Sequence, residues 1–244
     1  LEAVEAFAAK INAHEGIDGN TLSVIATDDL GDLDVAFANA QSAIQDPMHL
    51  VTIGNTRSSI VLPIAKIFKK ASKLFFTTIA TNQGISELKG TIFQLCFNDV
   101  FQGQALAQLA KDRLHGKRIL AVTEQSDPYS ADLSAEFIRT LQLLKVNVLQ
   151  FSYVAGQSFF SDLAQQIAIF RPDVIFVPNH RDRAAEILRE LNRRKLAGFE
   201  ILGSDGWGTQ EQTLSIIMTN EARALHRKYI LPFHWGKDVA SKKS

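Results

Sequence analysis

The 244-residue chain has a single cysteine, Cys96, so it can form no internal disulfide and no multi-cysteine metal site. Cys96 lies in the apolar run Ile92-Phe93-Gln94-Leu95-Cys96-Phe97, which predicts a buried structural thiol. There is no surplus of charge, because 26 basic residues balance 26 acidic ones. Nucleic-acid binders carry a basic excess that displaces phosphate counterions, so nucleic acid is not an expected partner. The most basic stretch, Arg181 to Lys195, is interleaved with Asp182, Glu186 and Glu190, as on a solvated helix face. No apolar run approaches the roughly 18 residues that cross a bilayer, and no basic-then-apolar leader opens the chain.

Catalytic motifs are equally scarce. G-x-G-x-x-G, G-x-x-x-x-G-K-[ST] and G-x-S-x-G are all missing, which removes the main support for dinucleotide, P-loop and hydrolase readings. His14, His49, His115, His180, His226 and His234 show no metal-binding spacing. The acidic group Asp28-Asp29-Leu30-Gly31-Asp32 could imitate a Mg²⁺ site, but a solvated turn with Asp32 capping the next helix is the simpler reading. Neither cofactor nor metal is expected, and the chain does not read as an enzyme.

What is present is a regular alternation of amphipathic stretches with short apolar, β-branched runs. Strands are predicted at Thr21–Ala26, Leu50–Ile53, Lys73–Thr77, Thr91–Cys96, Arg118–Val122, Asn147–Phe151, Asp173–Val177, Glu200–Leu202 and Tyr229–Leu231. Helices are predicted at Leu1–Glu15, Leu33–Asp46, Ser58–Ala71, Phe101–Leu114, Ala131–Leu144, Phe160–Phe170, Ala184–Ala197 and Glu211–Met218. Strands recur at the length of a βα unit, and parallel strands need such crossovers, so a doubly wound α/β fold follows. At Leu114-His115-Gly116-Lys117-Arg118 a helix ends and the pattern restarts. This predicts two lobes, residues 1–115 and 116–244, joined by short crossings that suit a hinge. The chain opens in a helix and stops after a strand, so a piece of a longer protein is expected.

In open parallel sheets ligands bind beyond the carboxyl ends of the strands. In the first lobe those positions hold Thr56-Arg57-Ser58-Ser59 and Thr77-Thr78-Ile79-Ala80-Thr81-Asn82. Hydroxyls and free N–H groups at a helix start suit a carboxylate. In the second lobe they hold Tyr129, His180 and Asp205, which suit an ammonium group or a side chain. An α-amino acid held between the lobes would satisfy both sets.

The ordered series Lys10–Leu22, Asp28-Asp29 with Asp32, Gly54 with Ser58-Ser59, Ala80-Thr81-Asn82, Asn98–Gly103, Tyr129, Phe160–Leu163 and Ile201–Trp207 resembles the type I periplasmic binding proteins of the branched-chain amino acid (Leu/Ile/Val) subgroup. The resemblance implies two parallel-sheet lobes about a cleft, here truncated at both ends. It also implies a small amino acid or related carboxylate as ligand, and the membrane permease of an ABC uptake transporter as partner. The location it implies is periplasmic or extracellular, membrane-associated where lipid-anchored. By resemblance, Ser58 and Thr81 bind the ligand carboxylate and the Ala80 backbone contacts the head group. Asp99 lies near the crossing and the cleft, Tyr129 covers the ligand, and Asp205 pairs with its ammonium. His180 stands where many relatives have an aromatic, which leaves side-chain specificity open. A ligand-sensing domain of a receptor or regulator would use the same clamp.

Overall fold

The computed structural model describes residues 1–208 and the short strand Tyr229–Ile230. Its first half holds helices α1 (Glu2–Asn12), α2 (Leu33–Gln45), α3 (Ser58–Lys70) and α4 (Gln83–Glu87), with strands β1 (Val51–Ile53), β2 (Leu74–Thr77) and β3 (Ile92–Gln94). Helix α5 (Asp99–Asp112) leads into β4 (Arg118–Glu124), α6 (Pro128–Leu143), β5 (Asn147–Tyr153), α7 (Phe160–Phe170), β6 (Val174–Phe176), α8 (Arg181–Arg193) and β7 (Glu200–Leu202). A 3-10 turn at Asp205–Trp207 and strand β8 (Tyr229–Ile230) follow.

The strands form two sheets, β1-β2-β3 and β5-β4-β6-β7-β8, and every pairing is parallel. The expected α/β fold with two parallel sheets is therefore present. In the second sheet β5 lies on one side of β4 and β6 on the other. The connections leave β4 and return to it in opposite directions, which opens a crevice at the carboxyl ends of β4 and β6. That topology sets the position of the loops carrying Tyr129 and His180.

Burial explains why β4 is the spine of this half. Successive side chains point to opposite faces of a strand, and β4 is apolar on both. Ile119 and Ala121 pack with Leu133, Phe137 and Leu141 of α6. Leu120 and Val122 pack with Leu163 of α7 and Ile187, Leu188 and Leu191 of α8. The smaller sheet has its own core, in which Val61, Ile64 and Phe68 of α3 meet Phe75 and Ile92. Helix α5 precedes residue 115, yet its Leu106, Ala107 and Ala110 belong to the core of the second sheet. The sequence reading put α5 with residues 1–115; its buried face packs on the other side.

Local departures from the predicted elements have simple causes. Thr21–Ala26 is not a strand: no described strand runs beside it, and Leu22 spends its backbone N–H and carbonyl on the Asn12 side chain at 2.8 and 2.9 Å rather than on a ladder. Helices α5 and α6 begin earlier than predicted because Asn98 and Asp127 cap them, with Pro128 occupying the first turn where its missing N–H costs nothing. Asp32 caps α2 through bonds from Asp34 N and Val35 N, as the sequence predicts. Trp207 packs into the second core, and its indole N–H donates to Val177 O at 2.9 Å. Cys96 is only half-buried; its thiol donates to Ala80 O, and burial pushes its pKa up to about 11. The predicted helix Glu211–Met218 lies outside the described residues.

Phe137 is fully buried and stacks on Phe176 with ring centroids 4.0 Å apart. Phe137→Ala should lower the unfolding free energy by about 3–5 kcal/mol in urea titrations. Phe7→Ala, at a ring 65% exposed, should change it by less than about 0.5 kcal/mol.

Candidate functional site

A cavity of about 380 Å³ opens where the carboxyl ends of the two sheets face each other. From the first sheet it is lined by Arg57, Ser58, Ile79, Ala80 and Thr81, and from the second by Tyr129, His180 and Asp205.

The first side is built around the start of α3. Arg57 occupies the N-cap position but no side chain caps the helix, so the Ser58 and Ser59 N–H groups are left to solvent or a ligand. Ser58, in that first turn, is buried, and its Oγ accepts a bond from Asn82 N at 3.3 Å. A hydroxyl that accepts this bond retains its proton to donate to an oxygen in the cavity. Thr81 is also buried, and its carbonyl accepts from Asp99 N at 2.8 Å. The Ala80 backbone is largely committed: its N–H donates to Thr77 Oγ1, and its carbonyl accepts from Gln94 Nε2 at 2.8 Å and from the Cys96 thiol.

The second side is organised around a buried carboxylate. Asp205 Oδ1 accepts from the Tyr129 hydroxyl at 2.5 Å and from Gln102 Nε2 at 2.7 Å, while Asp205 N donates back to Gln102 Oε1 at 3.2 Å. The Tyr129 oxygen lies 2.8 Å from Ser204 Oγ and accepts from Gly206 N at 2.9 Å. Burial first, and then the Asp205 charge, raise the Tyr129 pKa, so the phenol stays protonated and donates. Gly206 is required by proximity: a Cβ there would stand 2.7 Å from Tyr129 Cε1. The described donors to the Asp205 carboxylate, a phenol and an amide, solvate it with dipoles.

His180 precedes α8, another helix without a side-chain cap, and stacks on Tyr129 with centroids 4.9 Å apart. Its Nε2 stands 3.5 Å from Asp127 Oδ2. Burial is the largest influence on the imidazole and lowers its pKa, with Arg57 acting the same way and Asp127 opposing. Arg181 and Asp182 continue the rim, paired through an Nε–Oδ1 contact of 3.3 Å. Across the cleft, Asn82 Nδ2 donates to Asp132 Oδ2 at 2.6 Å and to Pro128 O at 3.3 Å, tying the start of α4 to that of α6.

Six residues singled out from sequence, Ser58, Ala80, Thr81, Tyr129, His180 and Asp205, thus meet at one cavity. The seventh, Asp99, is not on its wall; it is buried behind Thr81, whose carbonyl accepts from the Asp99 N–H at 2.8 Å. Gln102 was missed. Starting α5 at Phe101 hid the i, i+3 relation that puts Asp99 and Gln102 on one face; the Asn98 cap was the signal for the earlier start. Replacing Tyr129 with Phe removes the hydroxyl that Asp205, Ser204 and Gly206 share. Chemical denaturation of Tyr129→Phe should show a loss of about 1–3 kcal/mol, the cost of buried polar groups left without a partner.

The chain matches the periplasmic binding protein family over residues 1–225. It is 28% identical over 222 residues to a Leu/Ile/Val-binding protein of Escherichia coli, covering 89% of this chain and 58% of that one. It is 26% identical over 209 residues to an amino acid binding protein of Pseudomonas aeruginosa, covering 84% of this chain and 54% of that one. The crystal structure of a leucine binding protein from Thermotoga maritima shares the fold with a TM-score of 0.81 at 24% identity, over 98% of this chain and 66% of that one. The chain spans somewhat over half the length of these two sequence relatives. With the match running through nearly all of it, the chain belongs to the periplasmic binding protein family.

Proposed function

We propose that the protein is an extracytoplasmic solute-binding component of an ABC-type uptake transporter. It captures an amino-acid-like ligand in the cavity between the two sheets and delivers it, unaltered, to a membrane permease. The observation that carries this reading is the polarity of the cavity. One side offers an uncapped helix start with the buried hydroxyls of Ser58 and Thr81, and the other offers the buried carboxylate of Asp205. A carboxylate placed at the first and an ammonium at the second would each meet its electrostatic complement in a site largely withdrawn from water. Tyr129 and His180, stacked on each other, form an aromatic wall over the ligand.

In this reading the lobes exchange just before α5, because α5 shares its core with the second sheet. Closure then needs only small changes in the connections that cross between the sheets. The bonds from Asn82 to Asp132 and to Pro128 hold the lobes together when the cleft is shut. Ligand binding would shift the population toward that closed form, and a permease would recognise it. The names of the Escherichia coli and Pseudomonas aeruginosa relatives support an amino acid as the ligand class.

Isothermal titration calorimetry against the proteinogenic amino acids should give saturable binding of at least one of them, recovered chemically unchanged. Ser58→Ala and Asp205→Ala should each weaken that binding by about ten- to a hundredfold, the scale of a charge-assisted hydrogen bond. Conversion of the ligand into a product, or no binding across the panel, would refute the reading.

A further inference from the structure

We infer that the ligand is an amino acid whose side chain ends in a carbonyl oxygen, that of a carboxamide or a carboxylate, held between His180 and Arg57. This rests on the reading above, in which the head group of an amino acid occupies Ser58, Thr81 and Asp205 and leaves its side chain to the rest of the cavity wall.

That remaining wall is poor in alkyl surface. Among its described residues the aliphatic ones are Ile79 and Ala80, and Ile79 is 46% exposed. Tyr129 offers little contact area, because it is 2% exposed and the His180 ring lies against it. The imidazole, with 26% of its side chain exposed, is therefore the surface that a ligand meets on this side. Asp127 Oδ2 stands 3.5 Å from its Nε2, beyond the usual N–H···O range, and Nε2 has no hydrogen-bond partner among the described residues. Arg57 lines the same cavity from the first sheet, is exposed, and makes no hydrogen bond or ion pair with a described residue. Its charge reaches the imidazole, so the two groups border a common space. The other charged groups of the wall are engaged: Arg181 with Asp182 at 3.3 Å, and Asp205 with Tyr129 and Gln102.

A side chain entering this space strips water from a guanidinium and from a ring nitrogen. An alkyl group returns nothing for that loss. A carbonyl oxygen accepts from Arg57, whose guanidinium has five donors and no acceptor. The second terminal atom of the ligand then meets the imidazole, which donates or accepts according to its tautomer and charge. A carboxamide presents its NH₂ to a neutral ring, and a carboxylate presents an oxygen to a protonated one. Burial and Arg57 favour the neutral ring, whereas Asp127, Asp205 and Glu124 favour the protonated one, so a ligand carboxylate would tip the balance. A site built to hydrogen-bond its substrate rejects the analogue that cannot, far more strongly than an alkyl pocket separates similar shapes.

The test is calorimetry of the full protein with L-asparagine, L-aspartate, L-glutamine and L-glutamate against the other proteinogenic amino acids. Leucine branches at the same atom as asparagine and aspartate, so that comparison isolates the terminal atoms. At least one of the four should bind about tenfold or more tighter than leucine, isoleucine or valine, the scale of a buried polar group left without a partner. The amides against the acids tell which carbonyl group is taken. His180→Phe keeps the stack on Tyr129 without the ring nitrogens, and Arg57→Met keeps the stem without the charge. Each should cut the preference over leucine about tenfold. Tighter binding of any amino acid with no side-chain carbonyl oxygen would overturn the inference while leaving the proposed function intact. A preference unchanged in both variants would overturn it too, and if neither variant folds the wild-type panel decides. Failure of every amino acid to bind would instead remove the proposed function, and this inference with it.

Discussion

The carboxylate of Asp205 is the group on which the arrangement of the site turns. A charge withdrawn from water is tolerated only where dipoles replace the lost solvation, and here Tyr129 and Gln102 supply them at Oδ1. Through these two bonds the turn after β7 is tied to the starts of α5 and α6. Tyr129 is fixed in turn by Gly206 N, and the absence of a side chain at Gly206 is what lets the ring approach.

The fold delivers these groups to one place with few elements. Strand β4, apolar on both faces, is packed by α5 and α6 on one side and by α7 and α8 on the other. Its neighbours β5 and β6 lie on opposite sides of it, so the loops after β4 and β6 diverge around a crevice. Tyr129 and His180 stand at that crevice because Asp127 and Pro128 start α6 immediately after β4, and α8 starts soon after β6. On the opposing side, the start of α3 directly follows β1, which brings Ser58 and an uncapped helix end to the same opening. The two halves thus meet with complementary chemistry: backbone and hydroxyl donors against a carboxylate.

Much of this was legible in the chain alone, for identifiable reasons. Strand-end loops rich in Ser, Thr, Asp and Gly mark the ligand edge of any open parallel sheet, so Ser58, Thr81, Tyr129, His180 and Asp205 could be named before their positions were known. The helix cap at Asp32 was equally readable, because an acidic residue before an amphipathic run has one obvious role. What sequence could not supply was partnership. Thr21–Ala26 has the composition of a strand but no neighbour to pair with, and composition does not record neighbours. Helix α5 looked like the end of the first lobe because the apolar pattern restarts after it, whereas its buried face chooses α6. Asp99 looked like a cleft residue; its side chain is instead enclosed, and burial, ahead of the neighbouring aspartates, pushes its pKa up.

The central claim is that a single amino-acid-like molecule is held by its two ends between the sheets. A crystal structure of the protein grown with saturating L-leucine, or with whichever amino acid binds it, tests this most directly. The account predicts the ligand carboxylate within hydrogen-bonding distance of Ser58 and Thr81, its ammonium beside Asp205, and the Tyr129–His180 stack over its side chain. A ligand found away from this cavity, or lying in it with the carboxylate toward Asp205, would contradict the account.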